Sequence, residues 1–246
     1  MDKMVYVAMT GAKQILQAQA VNNHNIANVS THGFRADLHR FATQAVAGPG
    51  FASRANAVTE NAGFDLTTGT LLETGRDLDV AVAGEGWIAV QAADGSEAYT
   101  RAGNLRVSAT GVLETAAGYP VLGDGGPISV PPSTQIAIGR DGTVSIVPQG
   151  LGPATLASIG RIKLVNPPAE TLVKGADGLI RADEGDDAPA DANVQLISGV
   201  LESSNVNAPR ALIGMIEMAR LFDLQVKAMN TAEQTANAAT KMISLV

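Results

Sequence analysis

Apolar residues follow a helical spacing at both ends of the chain. Near the N-terminus a seam in steps of three and four runs from Met4 to Val29, in a stretch that contains no Pro, but it is thin because it includes Gly11, Asn22 and Asn25. Towards the C-terminus, Pro209 suits a first helical turn. Steps of three and four connect ten predicted seam positions there, eight of them apolar: Leu212, Met215, Ala219, Phe222, Val226, Met229, Glu233, Ala236, Thr240 and Ile243. The spacing predicts a helix at each end and a coiled-coil-like pairing between them.

In the middle of the chain, the pattern of apolar residues changes from helical spacing to short runs. Runs such as Ile159–Val165 are rich in β-branched residues, and turn dipeptides such as Asp94-Gly95 and Asp141-Gly142 separate runs of this kind. Short strands punctuated by Asp-Gly are typical of antiparallel hairpins. The middle is therefore predicted to be an all-β domain.

The expected fold class is α+β, with long N- and C-terminal helices forming a coiled-coil-like domain and a central all-β domain. We assign residues 1–45 to the N-terminal helix and a following loop, paired with the C-terminal helix in 200–246. Residues 46–75 are then a connecting segment, and 76–199 form the β domain. Ordinary intramolecular pairing of the two helices remains an alternative, but their apolar stripes exceed what one copy of the chain can cover.

Charge and composition narrow the range of functions. The chain of 246 residues has a net charge of −7 and no Cys. Residues 73–192 hold 16 Asp and Glu against 8 Lys and Arg, whereas nucleic-acid surfaces need clustered basic residues. No apolar run is long enough to span a bilayer, and the start lacks the pattern of a cleaved signal peptide. We therefore expect neither nucleic-acid binding nor direct membrane insertion.

Candidate catalytic patterns are weak. Gly84-Glu85-Gly86 fits a loose dinucleotide fingerprint, but a strand-like run follows it where that fingerprint needs a helix. Asp77 and Asp79 share a face of a predicted strand start and could act as paired carboxylates of a wall hydrolase. Their apolar neighbours favour a structural role. The sequence predicts no enzyme and no catalytic, cofactor or metal site.

Three motifs, in order, resemble the flagellar rod and hook proteins. Residues 22–35 read Asn-Asn-His-Asn-Ile-Ala-Asn-Val-Ser-Thr-His-Gly-Phe-Arg, which matches the family signature except that His24 stands where Asn is usual. Residues 78–103 resemble the opening of the family's β domain, with Trp87 in place of a more usual Phe. Residues 202–207 and the helix after them resemble its C-terminal hallmark. The resemblance covers nearly the whole chain.

The resemblance implies a structural subunit of the bacterial flagellar basal-body rod. Such a subunit polymerises through its terminal helices and transmits torque across the periplasm, with itself and other axial proteins as partners. The resemblance also implies passage through the flagellar type III export apparatus without a cleaved signal. Length and the opening residues resemble the proximal rod proteins most. Distal rod or hook-type proteins are the alternative, and a non-flagellar β-domain binding module is a further one.

The family motif also suggests residues for assembly. Asn25 and Asn28 lie three apart on one helical face, where amides bond across an interface or cap a helix end; we favour the interface for Asn25 and capping for Asn28. Gly33 suits a positive φ, and Phe34 is either an interface anchor or part of a core. The predicted assembly residues are Asn25, Ile26, Asn28, Gly33, Phe34, Leu212, Met215, Phe222, Val226, Met229 and Ile243.

Overall fold

The computed structural model describes residues 4–45, 55–150, 156–183 and 187–243; the side chains of Asn61 and Ile243 lie outside that description. The chain forms two compact units. The first, called the helical unit here, takes the described residues of 1–29, 36–65 and 206–246. The second, called the β unit, takes those of 30–35 and 66–205.

The helical unit contains two helices and a hairpin. Its elements are α1 (Met4–Ala27), β1 (Asp37–Ala45), β2 (Ala55–Phe64) and α2 (Ala208–Ile243). Helix α2 begins where Asn207 Oδ1 accepts the backbone N–H of Arg210 at 2.9 Å, an N-cap that satisfies one free donor of the first turn. Strands β1 and β2 pair antiparallel, and the side chain of Gln14 in α1 accepts the N–H of Thr59 in β2 at 2.8 Å.

The α+β class agrees with the structure, but the prediction of a coiled-coil-like domain was wrong. The helices pack through a small cluster made by Ile15 and Ala18 of α1 with Met218 and Phe222 of α2. On α1 the other buried apolar positions are alanines, which are too small to act as the large knobs of a coiled-coil seam. On α2, several predicted seam positions lie on the surface, namely Leu212, Ala219, Glu233 and Thr240. The hairpin also belongs to this unit, so strands are not confined to the middle of the chain.

The β unit is built from short strands and one 3-10 helix, Ala169–Thr171. The strands are β3 (Leu71–Glu73), β4 (Val80–Ala83), β5 (Trp87–Gln91), β6 (Glu97–Thr100), β7 (Leu105–Val107), β8 (Leu113–Thr115), β9 (Leu122–Gly123), β10 (Gly126–Pro127), β11 (Ser133–Ile138), β12 (Thr143–Pro148), β13 (Ala157–Arg161), β14 (Leu164–Val165), β15 (Leu172–Lys174), β16 (Ile180–Ala182), β17 (Gln195–Ser198) and β18 (Val200–Glu202).

All strand pairings in the β unit are antiparallel. The largest sheet has the order β14-β5-β6-β16-β15, a second has the order β11-β12-β13, and the remaining strands form pairs. A continuous core of Val, Ile and Leu side chains runs through these sheets. It includes the fully buried Ile88, Leu105, Leu113 and Val121. The chain's few aromatic residues are therefore no obstacle to a well-packed β core.

Candidate assembly surfaces and a buried arginine cluster

Helices α1 and α2 run antiparallel and are held in a fixed register. Asn22, buried near the end of α1, donates its side-chain N–H to the carbonyl of Ala211 at 2.8 Å. Two turns away Ile15 and Met218 share the small core. Further along, Gly11 faces Gln225, whose side chain would lie 3.1 Å from an added Cβ. These contacts define which face of each helix is inward.

The opposite face of α1 carries exposed large side chains. Tyr6, Met9, Lys13, Leu16 and Ala20 follow steps of three and four, and all of them are exposed. This spacing places them on one stripe of the helix, turned away from the buried Ala8, Ala12 and Ile15. The outward face of α1 is therefore largely apolar with one charge.

The outward face of α2 exposes more large apolar side chains, together with the charged Glu217, Arg220, Asp223 and Lys227. In its first half it exposes Leu212, Ile213, Ile216, Leu221 and Leu224, and the exposed fractions of Ile216 and Leu224 are 53% and 60%. Ile213, Ile216 and Leu224 lie across the helix from the face of Met218 and Phe222, whereas Leu212 and Leu221 lie on its flanks. A surface patch of this kind on a soluble protein marks a site of interaction with another molecule.

The predicted α2 residues divide between the two faces. Met215, Phe222, Val226 and Met229 are half-buried on the inward side, whereas Leu212 is exposed on the outward side. Ile243 ends the helix, and its side chain lies outside the described residues. The exposed residues Ile213, Ile216 and Leu224 were missed by the sequence analysis, although a second apolar stripe at helical spacing could have indicated them.

The predicted asparagines shape the exit from α1. The side chain of Asn25 pairs with the backbone of Asp37, its N–H donating to the carbonyl at 2.9 Å and its Oδ1 accepting the N–H at 2.8 Å. His24 Nδ1 also lies 2.7 Å from the carboxylate of Asp37. Asn28 donates to the carbonyl of His24 at 2.9 Å, a bond within the helix end. Ile26, between them, is half-buried. These bonds join the last turn of α1 to the start of β1.

Gly33 and Phe34 lie within the β unit. Gly33 has φ of +70°, and a Cβ added there would lie 2.3 Å from the carbonyl carbon of Arg101, so only glycine fits. Its N–H donates to the carbonyl of Glu202 at 2.9 Å. Phe34 is buried, and the ammonium of Lys174 lies 4.0 Å from its ring centroid. The motif loop is thus packed into the β unit.

A buried cluster joins the three sequence motifs. The carboxylate of Glu202 lies 2.7 Å from Arg35 Nη1 and 3.0 Å from Arg101 Nη1, and their side chains are only 1%, 1% and 3% exposed. Trp87 lies close to both guanidinium groups, at 5.6 Å from that of Arg35 and 5.3 Å from that of Arg101. One carboxylate therefore serves two buried cations that also contact an aromatic ring.

The two arginines of this cluster interact differently with the carboxylate of Glu202. The contact of Arg35 with Glu202 is a close charge pairing without the alignment of a hydrogen bond. Arg101 has more hydrogen-bond partners than Arg35, since it donates to the carbonyls of Gly84 at 2.6 Å and Val82 at 3.4 Å. Burial lowers the pKa of Arg101 from its ordinary value, and the carboxylate of Glu202 opposes that shift. Removing Glu202 would leave two buried cations without a counterion.

The residues weighed as catalytic or cofactor-binding candidates lie in an ion pair and a turn of the β unit. Asp79 is buried, with its carboxylate 3.2 Å from Arg76 Nη1, and Asp77 is exposed beside it. Gly84 and Gly86 form the turn between β4 and β5, so their loop leads into a strand. Among the described residues, no group of three His, Cys, Asp or Glu is arranged to hold a metal ion. None of the described helices is long and apolar enough to cross a membrane.

Comparison with known proteins gives a consistent result. The family described as the flagellar hook protein FlgE/F/G D1 domain matches residues 81–146, and the flagellar basal body rod FlgEFG protein C-terminal family matches residues 197–242. The flagellar basal-body rod protein FlgF of Salmonella typhimurium and that of Escherichia coli are each 42% identical to this chain, and each match covers the whole of both chains.

A more distant match is the flagellar basal-body rod protein FlgG of Agrobacterium fabrum, at 32% identity over 96% of this chain and 97% of that protein. These relatives are structural rod proteins and not enzymes, and they span this chain from end to end. On this evidence the chain belongs to the family of flagellar basal-body rod proteins.

Proposed function

We propose that this chain polymerises in the flagellar rod through the outward faces of α1 and α2, and that the assembled rod transmits torque across the periplasm. As a member of its family it is a structural subunit of the basal body, which assembles with other flagellar axial proteins. The observation that carries the proposal is the exposed apolar stripe of α2, centred on Ile216 and Leu224. When a neighbouring molecule covers this many apolar side chains, the free energy of the assembled state falls.

The proposed position is the proximal rod. Identity to the FlgF proteins of Salmonella typhimurium and Escherichia coli is 42%, compared with 32% for the FlgG protein of Agrobacterium fabrum. This difference favours a FlgF-type subunit over a FlgG-type one, and so supports the proximal position over the distal one, which the sequence analysis kept as the alternative. Export through the flagellar type III apparatus, without a cleaved signal, belongs to the same proposal.

The role of Asn25 and Gly33 in this proposal is indirect. Asn25 holds the end of α1 against the start of β1, and Gly33 lets the motif loop pack into the β unit. Both preserve the fold that displays the helices. The assembly surface itself is assigned to the exposed residues of α1 and α2.

The test replaces outward residues of α2 with a charge. Ile216→Asp and Leu224→Asp should abolish incorporation into basal bodies and swimming, because burying an unpaired carboxylate in the interface is strongly unfavourable. Leu156→Asp is the matched control, since Leu156 is also exposed but lies in a loop of the β unit. Immunoblots of purified basal bodies and swimming in soft agar measure the outcome.

Folding must be checked in the same variants. Surface substitutions change the free energy of unfolding by about 0.5 kcal/mol or less, so the purified variants should keep the helical circular dichroism of the wild type. Normal swimming with the Ile216→Asp variant at wild-type abundance would reject the outward faces as the assembly surface.

A further inference from the structure

The chain contains four Asp-Gly dipeptides, and each lies at a turn of the β unit. They are Asp94-Gly95, Asp124-Gly125, Asp141-Gly142 and Asp177-Gly178. In such a pair the backbone nitrogen of the Gly can attack the side-chain carboxyl of the Asp, because Gly has no side chain that obstructs the approach. The four sites differ in what holds the two reacting groups.

At three of the sites the attacking nitrogen is held by a hydrogen bond. In each of them the Gly N–H donates to the carbonyl three residues earlier, at 3.0, 3.0 and 3.1 Å for Gly95, Gly142 and Gly178. All three glycines also have positive φ, between +79° and +86°. Their nitrogens can therefore attack only after the turn has opened.

At the same three sites the carboxylate is held as well. Asp94 and Asp141 each accept the backbone N–H and the hydroxyl of the residue two positions later, and both hydroxyl distances are 2.6 Å. Asp177 accepts the N–H of Leu179 at 3.1 Å and two N–H groups of Arg181 at 3.0 and 2.6 Å. Side-chain hydrogen bonds are the largest cause that lowers the pKa of each of these three carboxyls. A carboxylate that stays ionised is a poor electrophile, because the reaction needs one of its oxygens to leave as water.

Asp124-Gly125 differs in both respects. It forms the loop between β9 and β10, and both residues are exposed. Within the described part of the chain, the carboxylate of Asp124 has no hydrogen bond or ion pair, and the N–H of Gly125 has no hydrogen bond. The nitrogen and the carboxyl are therefore neighbours in sequence that no other group holds apart.

We propose that Asp124 is a site of spontaneous isomerisation to isoaspartate. The nitrogen of Gly125 attacks Cγ of Asp124, and a cyclic succinimide forms as the amide proton leaves with the carboxyl hydroxyl as water. Water then opens the ring. Cleavage between the nitrogen and Cγ regenerates aspartate, whereas cleavage between the nitrogen and the backbone carbonyl carbon leaves the main chain running through Cβ and Cγ. Water is the only co-reactant, and no atom is oxidised or reduced.

The product changes both the turn and its chemistry. IsoAsp lengthens the main chain between β9 and β10, which pair only through Gly123 with Gly126 and Leu122 with Pro127. This short pairing is the first that the longer loop should weaken. IsoAsp also presents an α-carboxylate as its side group. The site therefore fits a protein carboxyl methyltransferase that recognises isoaspartate and uses S-adenosylmethionine as the methyl donor.

Ageing of the purified full-length chain tests the proposal. The protein is incubated at neutral pH, folded or in urea, and isoaspartate at each site is quantified by mass spectrometry with electron-transfer fragmentation. In the folded chain, isoaspartate should accumulate several-fold faster at Asp124 than at Asp94, Asp141 or Asp177. In urea the four rates should be similar, because unfolding removes the bonds that hold the other three sites. Equal rates at all four sites of the folded chain would overturn the proposal.

The matched variant is Gly125→Ala. Gly125 is not among the glycines with positive φ, and an added Cβ there meets nothing within 4 Å, so the variant should unfold at the same temperature as the wild type. Its methyl group obstructs the attacking nitrogen, so isoaspartate at Asp124 should fall several-fold. Methyl labelling of the aged protein by an isoaspartate methyltransferase should fall with it. Undiminished isoaspartate at Asp124 in this variant would contradict the assigned nucleophile.

Discussion

The β unit and the helical unit use apolar side chains in opposite ways. In the β unit, residues such as Val80, Leu105 and Leu113 are fully buried in a core shared by several sheets. In the helical unit, only a few large side chains such as Ile15 and Met218 are buried, while Ile216 and Leu224 lie on the surface. The β unit has the core of an independent domain, whereas the helical unit keeps much of its apolar surface for neighbours.

The largest expected effect comes from the buried cluster of the β unit. Glu202→Gln should lower the free energy of unfolding by about 3–5 kcal/mol, because two buried arginines lose their shared counterion. Trp87 is the only Trp and lies in the cluster, so its fluorescence during urea denaturation reports the β unit alone.

A more exposed ion pair of the same unit provides the control for Glu202. Glu114→Gln removes the partner of Arg106, which is 54% exposed, and should cost about 1 kcal/mol or less. Equal losses in the two variants would show that the buried cluster contributes no more than a surface pair.

The next effect concerns the motif loop. Gly33→Ala should cost about 2–4 kcal/mol, since the new methyl group meets the backbone of Arg101 and φ is positive. Gly75 has nearly the same φ, +69°, but an added Cβ there meets nothing within 4 Å. Gly75→Ala should therefore cost only the backbone strain, about 1–2 kcal/mol. Trp87 fluorescence measures both, and identical losses would exclude the close contact as the cause.

A smaller effect is expected in the helical unit. Met218→Ala removes a buried side chain from a small core and should cost about 2–3 kcal/mol, measured by circular dichroism of the helices. Met242→Ala, at the exposed end of α2, should change stability by less than about 0.5 kcal/mol. The loss should appear in the helical signal but not in Trp87 fluorescence. A simultaneous loss in both signals would mean that the two units unfold together.

The smallest effect depends on pH. Burial raises the pKa of Tyr99 to about 12, and its hydroxyl accepts the N–H of Ala188 at 2.8 Å. Because the folded-state pKa lies above the unfolded value near 10, the stability from this group is present below pH about 10 and is lost towards pH 12. Tyr99→Phe should cost about 1–2 kcal/mol at neutral pH.

The pH dependence separates this effect from simple packing loss. Above pH about 10 the wild type should lose stability faster than the Phe variant, because only the wild type must keep the Tyr99 hydroxyl neutral in the folded state. Denaturation curves at several alkaline pH values measure the difference. Parallel decline of both proteins would contradict the assigned cause.

Sequence patterns predicted the types of the elements better than their contacts. The helices and the antiparallel strands follow from periodicity and from turn dipeptides, which are local signals. Strands β1 and β2 were missed because they form a ribbon that lacks a strong alternation of apolar residues. On α2 the predicted seam includes the half-buried Met215 and Phe222 but misplaces one position, at Ala219 where the structure buries Met218. Both residues are apolar, so local spacing does not choose between them.

The candidate site was predictable only where the family motif supplied the residues. The motif named Gly33 and Phe34, but nothing local indicated that Glu202, far along the chain, would balance Arg35 and Arg101. Such pairings depend on the tertiary fold. Local spacing could have indicated Ile213, Ile216 and Leu224 as an outward stripe, because they repeat on one helical face.

Hydrogen bonds connect the motif loop at 33–34 with the last residues of the β unit, 202–205. Gly33 donates to the carbonyl of Glu202, and the N–H of Asn205 donates to the carbonyl of Phe34 at 3.3 Å. Asn205 also donates its side-chain N–H to the carbonyl of Thr67 at 3.0 Å, so residues 66–205 begin and end at one place, which is the geometry that tolerates inserted domains. Residues 66–205 can therefore be enlarged, shortened or exchanged, provided that the contacts with Gly33, Phe34 and Arg35, which belong to the same unit, are kept.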